Sequence, residues 1–181
     1  YLKDLFNKIY LTDILERHKV NEPENLDDLL NIISSAVGSL TNPSKLSDTF
    51  KSIKKANISS NTIKQYLDYF IDAFILYKAN RYDVKGKKYM DTPLKYYFSD
   101  VGLRNARLNF RQQEETHIME NIIYNEMRAR NFDIDVGVVE YNCKDENKKS
   151  KRIQLEVDFV ANRGSQRYYI QSALSVADED K

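Results

Sequence analysis

Near residue 131 the spacing of apolar side chains changes from a helical step to strict alternation, and this change limits the chain to a mixed fold. Over 115–130, Ile118, Met119, Ile122, Ile123, Glu126 and Met127 share one face of a helix. Beyond it, Ile134, Val136, Val138, Val139 and Tyr141 predict a strand over 132–141. Ile153, Leu155, Val157 and Phe159 alternate as a second strand, and 168–173 reads as a third. The charged run 144–151 is the expected hairpin tip, and Asn162-Arg163-Gly164-Ser165 a turn. The predicted order is helix, strand, strand, strand.

The residues before this point read as helical. The first twenty predict one helix, broken at 21–25, and Leu26, Leu29, Leu30, Ile32, Ile33, Ala36 and Val37 predict a second, with Gly38 at its end. Asn42-Pro43 pairs a capping side chain with proline at the first helical position. Leu46, Phe50 and Ile53 then give a short helix, 54–58 a turn, and Ser59-Ser60 opens a longer helix carrying Ile63, Tyr66, Leu67, Phe70, Ile71, Phe74 and Ile75 on one face. That is helix-turn-helix order. Two short strands at 82–84 and 87–89 flank Lys85-Gly86, so a basic hairpin follows, as in a winged helix. A strand at 96–98, a short helix at 101–108 and a polar link at 111–115 complete this part. The expected fold class is α/β (α+β), with a helical winged-helix module over 1–108 and an α/β module over 109–181.

Composition removes several functions. A chain of 181 residues with 41% hydrophobic and 30% charged residues supports real cores. Cys143 is the one cysteine, so neither a disulfide nor a cysteine-based zinc site can form within the chain. His18 and His117 make no metal motif. The five glycines assemble neither a G-x-x-x-x-G-K-[ST] loop nor a G-x-G-x-x-G turn. No apolar run approaches the roughly 18 residues of a membrane span, and no signal peptide is present, so a cytoplasmic location without membrane contact is expected. Net charge is +1, but residues 1–110 hold 17 Lys and Arg against 13 Asp and Glu, a net of +4, and the remainder is net acidic. The start at Tyr1 and the acidic end at 177–181 are expected of a piece excised from a longer protein.

Two sets of residues could carry function. In the first, the second helix of the helix-turn-helix would enter a DNA major groove. Asn61, Thr62, Lys64 and Gln65 would face the bases, and Arg81, Lys85, Lys87 and Lys88 would meet phosphates. The alternative is a winged helix used for protein contacts, with lysines that are merely solvated; Asp68 and Asp72 on the same helix would repel phosphate. The second set is Glu120, Asp158 and the Gln171 position. An acid within an apolar strand is costly unless paired or metal-bound, and Glu120 and Asp158 with a carbonyl oxygen would suit Mg²⁺. The alternative is that Glu156 and Asp158 lie on a solvated strand face. Cys143 reads as a bystander thiol. Tyr96-Tyr97 and Tyr168-Tyr169 could stack bases, though packing within the sheet explains them as well.

Four runs together resemble a known family: Tyr97-Phe98-Ser99-Asp100-Val101-Gly102-Leu103-Arg104, Glu120-Asn121-Ile122-Ile123-Tyr124-Asn125-Glu126, Glu156-Val157-Asp158-Phe159 and Tyr169-Ile170-Gln171. Tyr10-Leu11-Thr12-Asp13-Ile14 and the stretches 37–39 and 59–63 extend the likeness over nearly the whole chain. The pattern is similar to the C-terminal region, domain of unknown function 4143, of a prokaryotic family of AAA+ ATPases. The resemblance implies a preceding ATPase domain, absent here, as a partner and as the place where ATP would bind. It implies a winged-helix part and a restriction-endonuclease-like (PD-(D/E)xK) core, truncated at its end. In that core Glu120 matches the helix acid, Asp158 the strand acid and Gln171 the first position of the last element. Ala173 stands where the core has its lysine, and Lys151 or Arg167 are nearby in sequence to replace it. Loss of such a group costs about a hundredfold to a thousandfold in rate. The expected function is therefore that of the C-terminal region of an AAA+-type ATPase, associating with double-stranded DNA and carrying a degenerate nuclease-like core that requires no cofactor. A Mg²⁺-dependent nuclease and a protein-interaction module are the alternatives.

Overall fold

A computed structural model describes residues 1–55, 57–111, 114–144 and 150–175. It is a mixed α/β structure. Helix α1 (Leu2–Ile9) runs into a π-helical stretch (Tyr10–Glu16), so the single opening helix expected from sequence changes its winding. Helices α2 (Pro23–Ser35), α3 (Pro43–Lys54) and α4 (Ser60–Asp72) follow. Then come strands β1 (Leu76–Asp83) and β2 (Lys88–Phe98), helices α5 (Val101–Arg107) and α6 (Glu115–Ala129), and strands β3 (Asp133–Lys144), β4 (Ser150–Arg163) and β5 (Gln166–Ile170).

The helix starts follow their capping chemistry. Asn42 Oδ1 accepts from the Lys45 amide at 2.7 Å with Pro43 behind it, and Ser59 Oγ accepts from the Thr62 amide at 3.0 Å. Asp100 caps α5 through the amides of Gly102 and Leu103. Helix α4 ends earlier than its apolar spacing predicts. Phe74 takes φ 55° and is exposed, while the Ile75 amide closes back on the Phe70 carbonyl and returns Ile75 to the core.

All five strands form one sheet in the order β2-β1-β3-β4-β5, antiparallel except for β1 against β3. Two expectations change here. The stretches 87–89 and 96–98 are the two ends of the single strand β2, whose pairing with β1 absorbs Asp91–Leu94 as an irregularity between Ala79↔Lys95 and Arg81↔Met90. The expected free wing is also no free hairpin. Arg81–Asp83 pair in parallel with Val136–Val138, and the Val84 amide donates to the Val138 carbonyl. The outer edge of β1 thereby satisfies its backbone groups on β3. The sheet thus crosses from residues before 108 to residues after 109. Strand β5 stops at Ile170, short of Ala173. The charged tip expected at 144–151 falls largely on 145–149, and the acidic end on 177–181; both lie outside the described residues.

One apolar core spans the same junction. Leu26, Leu29, Ile33, Phe50, Leu67 and Phe70 from the helices join Leu76, Tyr97 and Phe98 from the hairpin and Tyr124, Val136 and Phe159 from the remainder. Tyr97 stacks on Tyr124 at 4.5 Å between ring centres. Each such fully buried side chain is worth about 1.5–3 kcal/mol, so neither half loses its partner cheaply. Arg104 reinforces the join between α5 and α2: it is fully buried, and its Nε donates to the Ser34 carbonyl at 2.8 Å. Among the described residues, no helix is long and apolar enough to cross a membrane.

Candidate functional site

Charged side chains gather where α6 crosses the core ends of β2 and β4. Glu120 enters from α6, one turn after His117. Lys95 and Tyr97 come from one face of β2, two residues apart, and Glu156 and Asp158 from β4. Lys95 is 3% exposed. Its Nζ donates to Glu120 Oε2 at 3.1 Å and to Glu156 Oε1 at 2.7 Å. Tyr97 Oη donates to the same Glu120 oxygen at 3.1 Å. The β1–β3 pairing stops at Arg81, so Ala79 and its partner Lys95 lie beyond it, and the Lys95 ammonium reaches Glu156 on β4.

The electrostatics follow from burial and from these bonds. Burial alone would lower Lys95, but its hydrogen bond to Glu156 and the charges of Glu120 and Glu156 outweigh this and hold it above the usual lysine value. Burial pushes the Tyr97 phenol far up, helped by Glu120 and by the charges of Glu156 and Asp158, so it stays protonated and donates. Burial takes Tyr96 up to about 12. Asp158, 6% exposed, is held separately. Its Oδ2 accepts from the Ser172 amide and the Ser172 hydroxyl, both at 2.7 Å. Gln171 Oε1 accepts from the Asp158 amide at 3.4 Å.

Gly38 backs the cluster. It has φ +71°, and a Cβ there would lie 3.2 Å from Glu120 Oε2 and 3.3 Å from His117 Nδ1. Gly38→Ala should cost about 1–2 kcal/mol for the left-handed backbone alone, before the contact is counted. Urea unfolding of the variant measures this, and an unchanged midpoint would contradict it.

The residues do not fit the divalent cation considered from sequence. A hard cation needs several oxygen donors and net negative charge. The cluster keeps a negative balance, but Lys95 Nζ occupies Glu120 Oε2 and Glu156 Oε1, and Ser172 donates twice to Asp158 Oδ2, so these oxygens already have donors. Among the described residues no group of three or more His, Cys, Asp or Glu is arranged to hold a metal.

The predicted residues fall in three places. Glu120, Asp158 and Gln171 lie around the cluster, whereas Ala173 is exposed beyond β5. Sequence reasoning missed Lys95 and looked instead to Lys151 and Arg167. Lys151 is exposed on β4 opposite Cys143, and Arg167 Nε donates to Asn162 on β5. The available signal was a lysine two positions from Tyr97 in the buried end of a strand. Asn61, Lys64 and Gln65 are exposed on α4 with Thr62 half-buried, and Lys85, Lys87 and Lys88 are exposed at the β1–β2 turn. Among the described residues none of these four lysines makes an ion pair. Arg81 departs from the expectation of a phosphate contact: it is 3% exposed, and its Nη2 donates to Gln154 Oε1 at 2.9 Å. Tyr96 and Tyr97 are buried, so sheet packing accounts for them, while Tyr168 and Tyr169 are exposed.

Comparison with known proteins adds the family. An "Uncharacterized protein" of Haemophilus influenzae is 33% identical over 177 residues, which are 98% of this chain and 41% of that protein. An uncharacterized protein of Methanocaldococcus jannaschii is 29% identical over 160 residues, 88% of this chain and 33% of that protein. The chain thus spans less than half the length of either relative. No solved structure matches it. The family model that matches, over residues 1–114, is the domain of unknown function DUF8612. This match overturns the resemblance to domain of unknown function 4143 and to the AAA+ ATPases. The short motifs shared with that pattern are outweighed by a match over most of the chain, and the ground for expecting an ATPase domain and ATP goes with them. With more than half of its residues matched, the chain belongs to the DUF8612 family.

Proposed function

We propose that this chain is a nucleic-acid-associating module whose nuclease-like core serves binding rather than metal-dependent cleavage. The observation that carries this reading is the contrast between inner and outer charge. The acids of the core are occupied from within: Lys95 pairs with Glu120 and Glu156, Tyr97 donates to Glu120, and Ser172 donates to Asp158. Lys64, Lys85, Lys87 and Lys88 are left exposed without acidic partners among the described residues. The order α6-β3-β4-β5, with an acid on the helix and another on the middle strand, supports a likeness to restriction-endonuclease cores. The capped α3–α4 pair with its solvent-facing Asn61, Lys64 and Gln65 supports a helix-turn-helix surface. Cations free of internal partners release counterions from a phosphate backbone when they bind it, which makes binding salt-dependent.

Fluorescence anisotropy of labelled duplex DNA at several salt concentrations tests the reading. Four to five phosphate contacts predict a log–log salt slope of about −4. Replacing Lys85, Lys87 and Lys88 together by alanine should flatten that slope by about 3. Absence of binding at low salt would sink the reading. Strand cleavage that requires Mg²⁺ or Mn²⁺ and disappears in Asp158→Ala would overturn the metal-free assignment of the core.

A further inference from the structure

One face of the sheet is lined by aromatic and cationic side chains that the charged cluster does not use. Tyr82 on β1 lies against Tyr89 on β2, ring centres 5.4 Å apart and nearly edge to face. Arg167 on β5 sits over the Tyr82 ring at 5.5 Å and also lies against Tyr169, its neighbour on the same face of β5. The β5 residues of opposite parity, Tyr168 and Ile170, line the apolar groove against α6 instead. Strands β1 and β5 are three places apart in the sheet, roughly 14 Å at ordinary strand spacing. Arg167 nevertheless reaches Tyr82, so this face is concave. Gly137 lies opposite Tyr82 on β3, and the floor there is closed by β4: a Cβ at Gly137 would meet Val160 Cγ2 at 2.8 Å and Val157 Cβ at 2.9 Å.

Exposure and charge separate this face from ordinary packing. Tyr89 is 64% and Tyr169 54% exposed. The acids nearby include Asp133 and Asp91, which are exposed, Asp135, which is buried and accepts from Tyr89 Oη at 3.1 Å, and Asp83, whose Oδ1 accepts from the Lys85 and Gly86 amides in the β1–β2 turn. Burial raises Asp135, against the smaller lowering effect of that hydrogen bond. The turn that ends β1 adds exposed Lys85 and Lys87 at the rim. The exposed rings of Tyr89 and Tyr169, a guanidinium held against Tyr82 and lysines at one end suit unpaired bases on a phosphate backbone.

We infer that the concave sheet face carrying Tyr82, Tyr89, Tyr169 and Arg167 binds single-stranded nucleic acid by stacking its unpaired bases. This rests on the nucleic-acid reading above and names the form of nucleic acid that the sheet takes. Duplex DNA hides its base faces and has nothing to offer these rings, whereas the exposed lysines serve either form.

Anisotropy with three labelled probes tests the inference: a short oligothymidine, an abasic strand of the same length, and a duplex. The oligothymidine should bind at least about tenfold more tightly than the abasic strand, since each stacked base contributes on that scale. Tyr169→Ala, at an exposed position, should weaken oligothymidine binding about tenfold and leave the duplex unchanged. Tyr169→Phe, which keeps the ring, should bind as the native chain does. Equal affinity for abasic and intact strands, or no effect of Tyr169→Ala, would overturn base stacking while leaving phosphate-driven association in place. No binding of any probe at low salt would overturn both.

Discussion

Lys95→Ala should destabilise the fold by about 3–5 kcal/mol, the largest effect expected of any single substitution in the cluster. The change leaves Glu120 and Glu156 facing one another with the Tyr97 phenol as the remaining donor on Glu120. Removing one member of a largely buried charge group costs more than the group itself contributes, because the Glu120 carboxylate stays desolvated even though Glu156 is partly open to water. Lys95→Met combined with Glu120→Gln should therefore recover part of the loss, and a double-mutant cycle by urea unfolding measures the coupling. A purely additive cycle would refute the pairing. The pH dependence has a definite sign. The folded lysine is held above its ordinary value of 10.5, so its contribution is fully present below that value and lost as pH rises through the higher folded one. Native protein should lose stability on this alkaline limb, and Lys95→Met should lack that component.

Asn121→Ala should cost about 2–4 kcal/mol, and for a different reason: it unties α6 from the end of β2. The Asn121 side chain, 1% exposed, accepts from the Phe98 amide at 2.8 Å and donates to the Phe98 carbonyl at 2.7 Å. Asn125 also donates to that carbonyl, at 2.9 Å, so alanine at 121 strands chiefly the buried Phe98 amide. A buried donor without a partner costs about 1–3 kcal/mol beyond the bond itself. Asn125→Ala should cost less, since Asn121 still serves both Phe98 groups. Urea unfolding ranks the two variants, and hydrogen exchange at the Phe98 amide should accelerate in Asn121→Ala alone. Equal losses, or an unchanged exchange rate, would show that this clamp does not dock α6.

These two residues mark where reading the chain reaches its limit. Asn121 sits inside a run read correctly as helix, between apolar Met119 and Ile122, and nothing local says that its amide closes on a strand some twenty residues earlier. Lys95 lies between Leu94 and Tyr96, close to a stretch whose spacing predicts two separate strands. Its partners on α6 and β4 follow only after β2 is continuous and β1 has paired with β3. Arg81 shows the converse. As one cation in a basic hairpin it looked solvent-facing, but the parallel β1–β3 pairing buries it against Gln154.

What the residues determined by themselves is what depends on neighbours three or four positions away. The helices over Pro43–Lys54, Ser60–Asp72 and Glu115–Ala129 follow from apolar period and from the caps Asn42 and Ser59. The alternation of β3 and β4 was legible in the same way. The tertiary structure alone decided that five strands share one sheet, that Lys95 supplies the cation of the cluster, and that Gly38 stands behind it. Capping and amphipathic period are local and leave a mark in sequence spacing. Strand pairing across some fifty residues, and the charge that a buried acid meets there, are selected by the shared core, which no window of the sequence contains.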